Sequence, residues 1–138
     1  AGKKFEVVFC SDLKRAVDSA NLAFGTSFEI IHDNRLRECN YGDLNGGKEE
    51  KVKSMKEEQI EKPFPNGESY RDVERRMAYF VKFLRKNYSG KSVAIVAHQA
   101  PQLALDVILK GKTWQEAFSE DWRYKVPKQW KPGWEYEA

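Results

Sequence analysis

The chain predicts an α/β fold: a three-layer, mostly parallel sheet with helices on both faces. Three observations carry this. Residues 5–10 (Phe-Glu-Val-Val-Phe-Cys) and 92–97 (Ser-Val-Ala-Ile-Val-Ala) are mostly apolar, as strands covered on both sides tend to be. Each run passes directly into a helix-start signal. Between them lies a long stretch with Val73, Met77, Phe80 and Leu84 on one face at helical spacing.

The elements follow in order. Residues 5–10 predict the first strand. Ser11 or Asp12 suits the cap of a helix over residues 13–24, whose apolar face is Leu13, Ala16, Val17, Ala20 and Phe24, and Gly25 stops it. Residues 28–31 predict a second strand. Residues 35–47 read as a loop, with Tyr41-Gly-Asp and Asn45-Gly-Gly as turn chemistry. Residues 48–61 are charged, helix-prone and poorly amphipathic, a surface excursion broken by Pro63-Phe-Pro-Asn-Gly67. Ser69 is a natural N-cap with Asp72 three residues on. Residues 92–97 predict the third strand, ending on His98. Pro101 suits the first turn of the next helix and Gly111 its stop. Thr113-Trp-Gln-Glu116 is a capping-box pattern opening a short last helix.

Composition bounds the function. A chain of 138 residues, 41% hydrophobic, predicts one domain over 1–138. Its mean hydropathy of -0.74 and short apolar runs predict a soluble protein with no membrane segment, and no signal-peptide pattern is present. The net charge of +3 comes from interspersed Lys and Glu, which excludes a nucleic-acid-binding patch in favour of a solvated surface. Cys10 and Cys39 make neither a disulfide framework nor a CxxC pair, so a reduced, cytoplasmic setting is expected. His32 and His98 lack metal-ligand spacing, so neither metal nor cofactor is expected.

His98 is the first chemical candidate. It would sit at the C-terminal edge of a sheet beside a helix start, whose N–H groups favour anions. The alternative is a histidine that merely fills a turn. Arg15 follows the first strand in the opening turn of a helix, where the macrodipole favours acids. That misfit points to an arginine serving an anion, where its fork matches phosphate; a surface arginine is the competing reading, and the two stand about even. Glu38 lies in a turn-rich loop. It could protonate a leaving oxygen if the loop folds over His98, and is otherwise an exposed acid.

Other motifs read as structure. A phosphate loop with a cysteine nucleophile needs five residues between Cys and Arg, with glycine among them. Four separate Cys10 from Arg15 and none is glycine, so Cys10 reads as a small buried hydrophobe. Gly67-Glu68-Ser69 reads as a helix start. Trp122, Trp130 and Trp134 in the tail read as core or lid packing; an interaction surface would require them exposed together.

Taken in order, Ser11-Asp12-Leu13-Lys14-Arg15-Ala16 with Ala20, Leu36-Arg37-Glu38 with Tyr41-Gly42-Asp43-Leu44-Asn45-Gly46, Gly67-Glu68-Ser69 and Val96-Ala97-His98 resemble the histidine phosphatase superfamily, also called phosphoglycerate-mutase-like. Each match is weak by itself; four in the right order, over most of the chain, are specific. The short span from Glu38 to Gly67 looks like the phosphatases rather than the mutases. The resemblance implies phosphomonoester hydrolysis through a phosphohistidine. Arg15 then matches the arginine that binds the transferring phosphoryl group, and His98 the second histidine, which donates hydrogen bonds to it. Glu38 matches the acid that protonates the leaving oxygen and then activates water. Tyr41 falls where some members contact substrate, and Gln99 stands beside His98 where glycine is common, which would reshape the phosphate contacts. A small phosphorylated substrate or inorganic phosphate is the implied partner.

One departure is large. The family opens on a strand ending in Arg-His-Gly, which carries the nucleophile, and this sequence holds no such segment. Its first strand matches the family's second. Three accounts are open: a fragment of a longer protein, a truncated gene or misassigned start, or a non-catalytic descendant that keeps a phosphate-binding shell. The expectation adopted is a truncated phosphatase, inactive by itself, because Arg15, Glu38 and His98 all remain. A missing strand would leave sheet edges open, which predicts dimerisation or strand exchange.

Overall fold

The computed structural model describes residues 5–25, 27–47, 49–121, 123 and 135–137. Trp122, Trp130 and Trp134 lie outside the described residues. Three strands, β1 (Val7–Cys10), β2 (Ile30–His32) and β3 (Val93–Val96), form a wholly parallel sheet in the order β2-β1-β3. The central strand pairs Val8 with Ile30 and Cys10 with His32 on one side, and Val7 with Val93 and Cys10 with Val96 on the other. All four β1 residues are buried. Among the described residues, β2 and β3 pair on one side only.

Among the described residues there are five α-helices: α1 (Lys14–Phe24), α2 (Glu49–Met55), α3 (Tyr70–Asn87), α4 (Gln99–Lys110) and α5 (Trp114–Ser119). Successive β1 side chains point to opposite faces. Val7 and Phe9 join the main core with Val73, Met77 and Phe80 of α3 and Leu103 and Ala104 of α4. Phe9 meets Phe80 edge to face at 5.4 Å. Val8 and Cys10 turn the other way, and α1 packs against β1 and β3, burying Ala16 and Ala20. The predicted α/β layering is therefore present.

Local chemistry explains where the elements begin and end. Ser69 and Asp72 form a complete capping box on α3, and Thr113 and Glu116 another on α5. Gly111 takes a left-handed conformation (φ 68°) to close α4. The strands are shorter than the apolar runs suggest. β1 starts at Val7, although the Glu6 N–H still donates to the Ser92 carbonyl at 2.9 Å. β2 is shifted to Ile30–His32, because Phe28 packs instead on Phe24, edge to face at 5.7 Å.

Two expectations are corrected. α1 has Leu13 at its N-cap with no side-chain cap, rather than a Ser11 or Asp12 cap. The Asp12 carboxylate is held bidentate by Arg37, both bonds at 2.7 Å, and the Ser11 hydroxyl faces His98. The stretch 48–61 is not all surface: after α2 a 3-10 turn, Glu58–Ile60, buries Gln59 and Ile60. The Gln59 amide makes this possible by donating to the Lys62 and Pro63 carbonyls at 2.8 and 2.7 Å.

Candidate active site

The ends of β1 and β3 set the site. The Ser11 N–H donates to the Val96 carbonyl (2.9 Å), so both chains leave the sheet in register. β1 runs on into α1, whose first turn carries Arg15. β3 runs on through His98, the N-cap residue of α4. A parallel sheet thus gathers residues far apart in sequence at its C-terminal edge.

His98 is partly buried, and its Nε2 lies 2.9 Å from Ser11 Oγ. Burial pushes its pKa down to about 4, and the charges of Arg15 and Arg76 push the same way. The ring is therefore neutral across the physiological range.

Glu38 arrives from the loop after β2. Its Oε1 accepts from its neighbour's N–H, Cys39 (2.9 Å), and from the Ala100 N–H in the first turn of α4 (3.0 Å). This changes one expectation. The N–H groups at the α4 start do not simply await a phosphate. Ala100 gives its own to Glu38, Pro101 has none, and Gln102 donates to the His98 carbonyl at 3.2 Å. The anion that this helix end favours is supplied by the protein itself. Burial raises the Glu38 pKa, opposed by the two N–H bonds and by the Arg15 and Arg76 charges. A carboxyl so placed retains its proton to higher pH than a solvated one, as a general acid requires.

The loop that presents Glu38 is clamped. Arg76, on α3, uses every donor direction of its guanidinium. Nη1 donates to the Arg35 and Arg37 carbonyls, both at 2.7 Å. Nη2 donates to the Glu38 carbonyl and to Glu68 Oε1, and Nε to Glu68 Oε2, each at 3.0 Å. Glu68 also accepts from the Asn40 N–H at 2.9 Å. Backbone bonds knit the same segments, Glu68 N–H to Asn40 O at 2.7 Å and Asp43 N–H to Pro65 O at 2.9 Å. Two glycines make this approach possible: a Cβ at Gly67 would overlap the Asn40 carbonyl, and one at Gly42 (φ 58°) the Pro65 carbonyl. Gly67-Glu68-Ser69 is thus a helix start, as expected, and also half of the clamp.

Arg15 is exposed, and among the described residues it has no hydrogen-bond or ion-pair partner. Its charge nonetheless acts on both Glu38 and His98. Tyr41 packs edge-on against Phe64 (5.1 Å), and its hydroxyl pKa is raised, first by burial and next by the Glu38 charge. The Gln99 amide donates to Asp121 at 2.8 Å. Cys10 is fully buried with its pKa raised by burial and by Asp12, which keeps the thiol neutral and unsuited to attack.

An open depression of about 440 Å³ lies at the β2 end, lined by Asp12, His32, Asp33, Asn34 and Arg35. It includes none of Arg15, Glu38 and His98, and Arg37 and Arg35 already hold its two carboxylates. No group of side chains suited to a metal ion occurs among the described residues, nor does a helix long and apolar enough to cross a membrane. Sequence reasoning singled out Glu68 only as part of the Gly67-Glu68-Ser69 helix start, and missed its pairing with Arg76 and that of Ser11 with His98.

Comparison with known proteins bears on the family and the fold. A model of the histidine phosphatase superfamily (branch 1) matches residues 1–128. A 2,3-bisphosphoglycerate-dependent phosphoglycerate mutase of Allorhizobium ampelinum is 30% identical over 91% of this chain and 66% of its own length. YhfR of Bacillus stearothermophilus superposes with a TM-score of 0.72 at 23% identity, over 86% of this chain and 63% of that one. A mycobacterial glucosyl-3-phosphoglycerate phosphatase, solved with inorganic phosphate, gives 0.67 at 24% identity over 84% and 64%. The chain spans just under two thirds of the length of these proteins.

Proposed function

Because the chain belongs to the histidine phosphatase superfamily, branch 1, we propose that it forms the phosphate-binding and acid side of a phosphomonoesterase working through a phosphohistidine. The observation that carries this is the convergence of Arg15, Glu38 and His98. Glu38 is bonded to the helix turn that His98 caps, and Arg15 acts on both. In this scheme the exposed Arg15 fork takes two phosphoryl oxygens and His98 donates to a third position on the same group. The nucleophilic imidazole comes from an Arg-His-Gly segment, which these 138 residues do not contain. It forms the N–P bond as the P–O bond to the leaving group breaks, and Glu38 gives its proton to the departing oxygen. The Glu38 carboxylate then takes a proton from water, which attacks phosphorus as the N–P bond breaks, freeing the imidazole and releasing inorganic phosphate. Tyr41 and Gln99 are proposed to border the substrate. A cytoplasmic location, a small phosphorylated substrate rather than nucleic acid, and pairing between copies along the β2 or β3 edge belong to the same proposal; sedimentation as a monomer would remove the last.

Two other readings have support. The name of the Allorhizobium relative favours a phosphoglycerate-type mutase, in which the phosphohistidine discharges to a second hydroxyl instead of water. The shell of Arg15, Glu38 and His98 also fits a phosphate-binding module without turnover. One set of measurements separates the three. The 138-residue chain is titrated with inorganic phosphate, and the longest gene product containing it is assayed with an aryl phosphate and with a phosphoglycerate. Binding by the chain, aryl phosphate turnover and an acid-labile phosphoprotein support the phosphatase. Interconversion of phosphoglycerates without net phosphate release supports the mutase. Binding with neither activity supports the module, and no binding at all rejects the phosphate site.

A further inference from the structure

Ser11 is fully buried, and its hydroxyl has two neighbours with different demands. The Leu13 N–H donates to Oγ at 3.2 Å, which uses one lone pair. His98 Nε2 lies 2.9 Å away on another side. An imidazole nitrogen can be either donor or acceptor, so two assignments exist. If Nε2 carried the proton, Oγ would accept twice and its own buried proton would have no acceptor among the described residues. If Nε2 is the bare nitrogen, the hydroxyl proton points at it, the Leu13 N–H fills a lone pair, and the Ser11 hydroxyl is satisfied as both donor and acceptor. The backbone fixes the pair in place, since Ser11 and His98 follow register partners Cys10 and Val96 on neighbouring strands.

We infer that Ser11 is a positioning residue that fixes His98 as the neutral Nδ1–H tautomer, so that Nδ1–H is the one donor the ring presents to a phosphoryl oxygen. The tautomer assignment stands on geometry alone; the role of its donor rests on the phosphate site proposed above. Among the described residues His98 Nδ1 has no hydrogen-bond partner, which leaves it available. The neutral state agrees with the depressed His98 pKa of about 4. A solvated imidazole prefers its proton on Nε2, so the serine reverses the ordinary choice.

The chain holds two histidines, so His32→Asn leaves one set of ring signals to assign. Long-range proton–nitrogen correlation spectra of the whole chain at neutral pH read the tautomer directly. The expected spectrum has a pyridine-type Nε2 and a pyrrole-type Nδ1. Ser11→Ala is expected to shift both toward the Nε2–H form, and Ser11→Thr to restore them. Phosphate affinity should fall about fivefold to tenfold in Ser11→Ala, the loss of one aligned donor. A pyrrole-type Nε2 in the unaltered chain overturns the inference without any variant having to fold. So does a spectrum unchanged by Ser11→Ala. The predicted spectrum together with no phosphate binding would support the tautomer assignment and reject the phosphate site.

Discussion

Two arginines put their charge on Glu38 and His98, and the fold treats them in opposite ways. Arg76 is largely buried on α3 and makes five hydrogen bonds, three to backbone carbonyls of the Glu38 loop and two to Glu68. Arg15 is exposed in the first turn of α1 and, among the described residues, makes none. A guanidinium has five N–H donors. Arg76 has spent all of them on the protein and has none left for a ligand, whereas Arg15 retains its whole fork. Identical chemistry thus serves architecture in one place and recognition in the other, and hydrogen-bond saturation is what tells them apart. The comparison makes graded predictions, because removing a saturated arginine and an unsaturated one should have opposite profiles.

The largest effect belongs to Arg76→Met. It leaves three loop carbonyls and the Glu68 carboxylate without their donor, at a cost of about 3 kcal/mol. Urea denaturation is expected to show this loss together with weaker phosphate binding, since Glu38 is no longer held. If stability were unchanged and phosphate binding alone fell, Arg76 would be a ligand residue and the contrast would fail. Gly67→Ala tests the backbone half of the same clamp. Its Cβ would press on the Asn40 carbonyl, so a loss of about 2 kcal/mol is expected. A neutral result would mean that the two segments can separate at little cost.

A third test concerns the protons around which both arginines sit. The folded pKa of His98, about 4, lies below the ordinary histidine value near 6.5. Protonation therefore favours the unfolded chain. Stability linked to His98 is complete above about pH 6.5 and is lost as pH falls toward 4. Glu38, with a raised pKa, has the opposite sign, its linked stability being lost as pH rises. Comparing His98→Gln with the unaltered chain isolates the histidine. The variant should lose less stability over that acid window, by on the order of 1 kcal/mol. Parallel pH profiles for the two proteins would mean that His98 titrates normally and feels neither arginine.

These residues also mark where the sequence is informative. The capping boxes at Ser69 and Thr113, the left-handed Gly111 and the apolar strands are local signals, and each appears in the structure as its chemistry dictates. Arg15 and His98 were visible because each breaks a local rule, an arginine at a helix start and a histidine ending an apolar strand. Arg76 breaks none. It is one more polar residue on an amphipathic helix, and its partners at 35, 37 and 38 come from some forty positions away. Ser11 looked like a helix cap for the same reason: local spacing cannot reveal that β1 and β3 run side by side and deliver His98 to its hydroxyl. The site's chemistry was legible in its anomalies, while its scaffolding depended on register and tertiary packing.

Arg15→Ala should change stability least, by no more than about 0.5 kcal/mol, because an exposed arginine with no partner among the described residues contributes little to the fold. Its effect on phosphate should be the reverse. Losing a bidentate, charge-assisted pair is expected to weaken binding about tenfold or more. Arg15→Lys refines the test. It keeps the charge near Glu38 and His98 but replaces a planar fork with a point charge, so affinity should fall between the two. The electrostatic share can be read from salt, because an exposed charge is screened and a geometric fork is less so. If Arg15→Lys binds phosphate as the arginine does, and both lose affinity equally with added salt, Arg15 supplies field rather than fit. If Arg15→Ala unfolds the chain as readily as Arg76→Met, the exposed arginine has a structural partner, and the division between the two arginines is wrong.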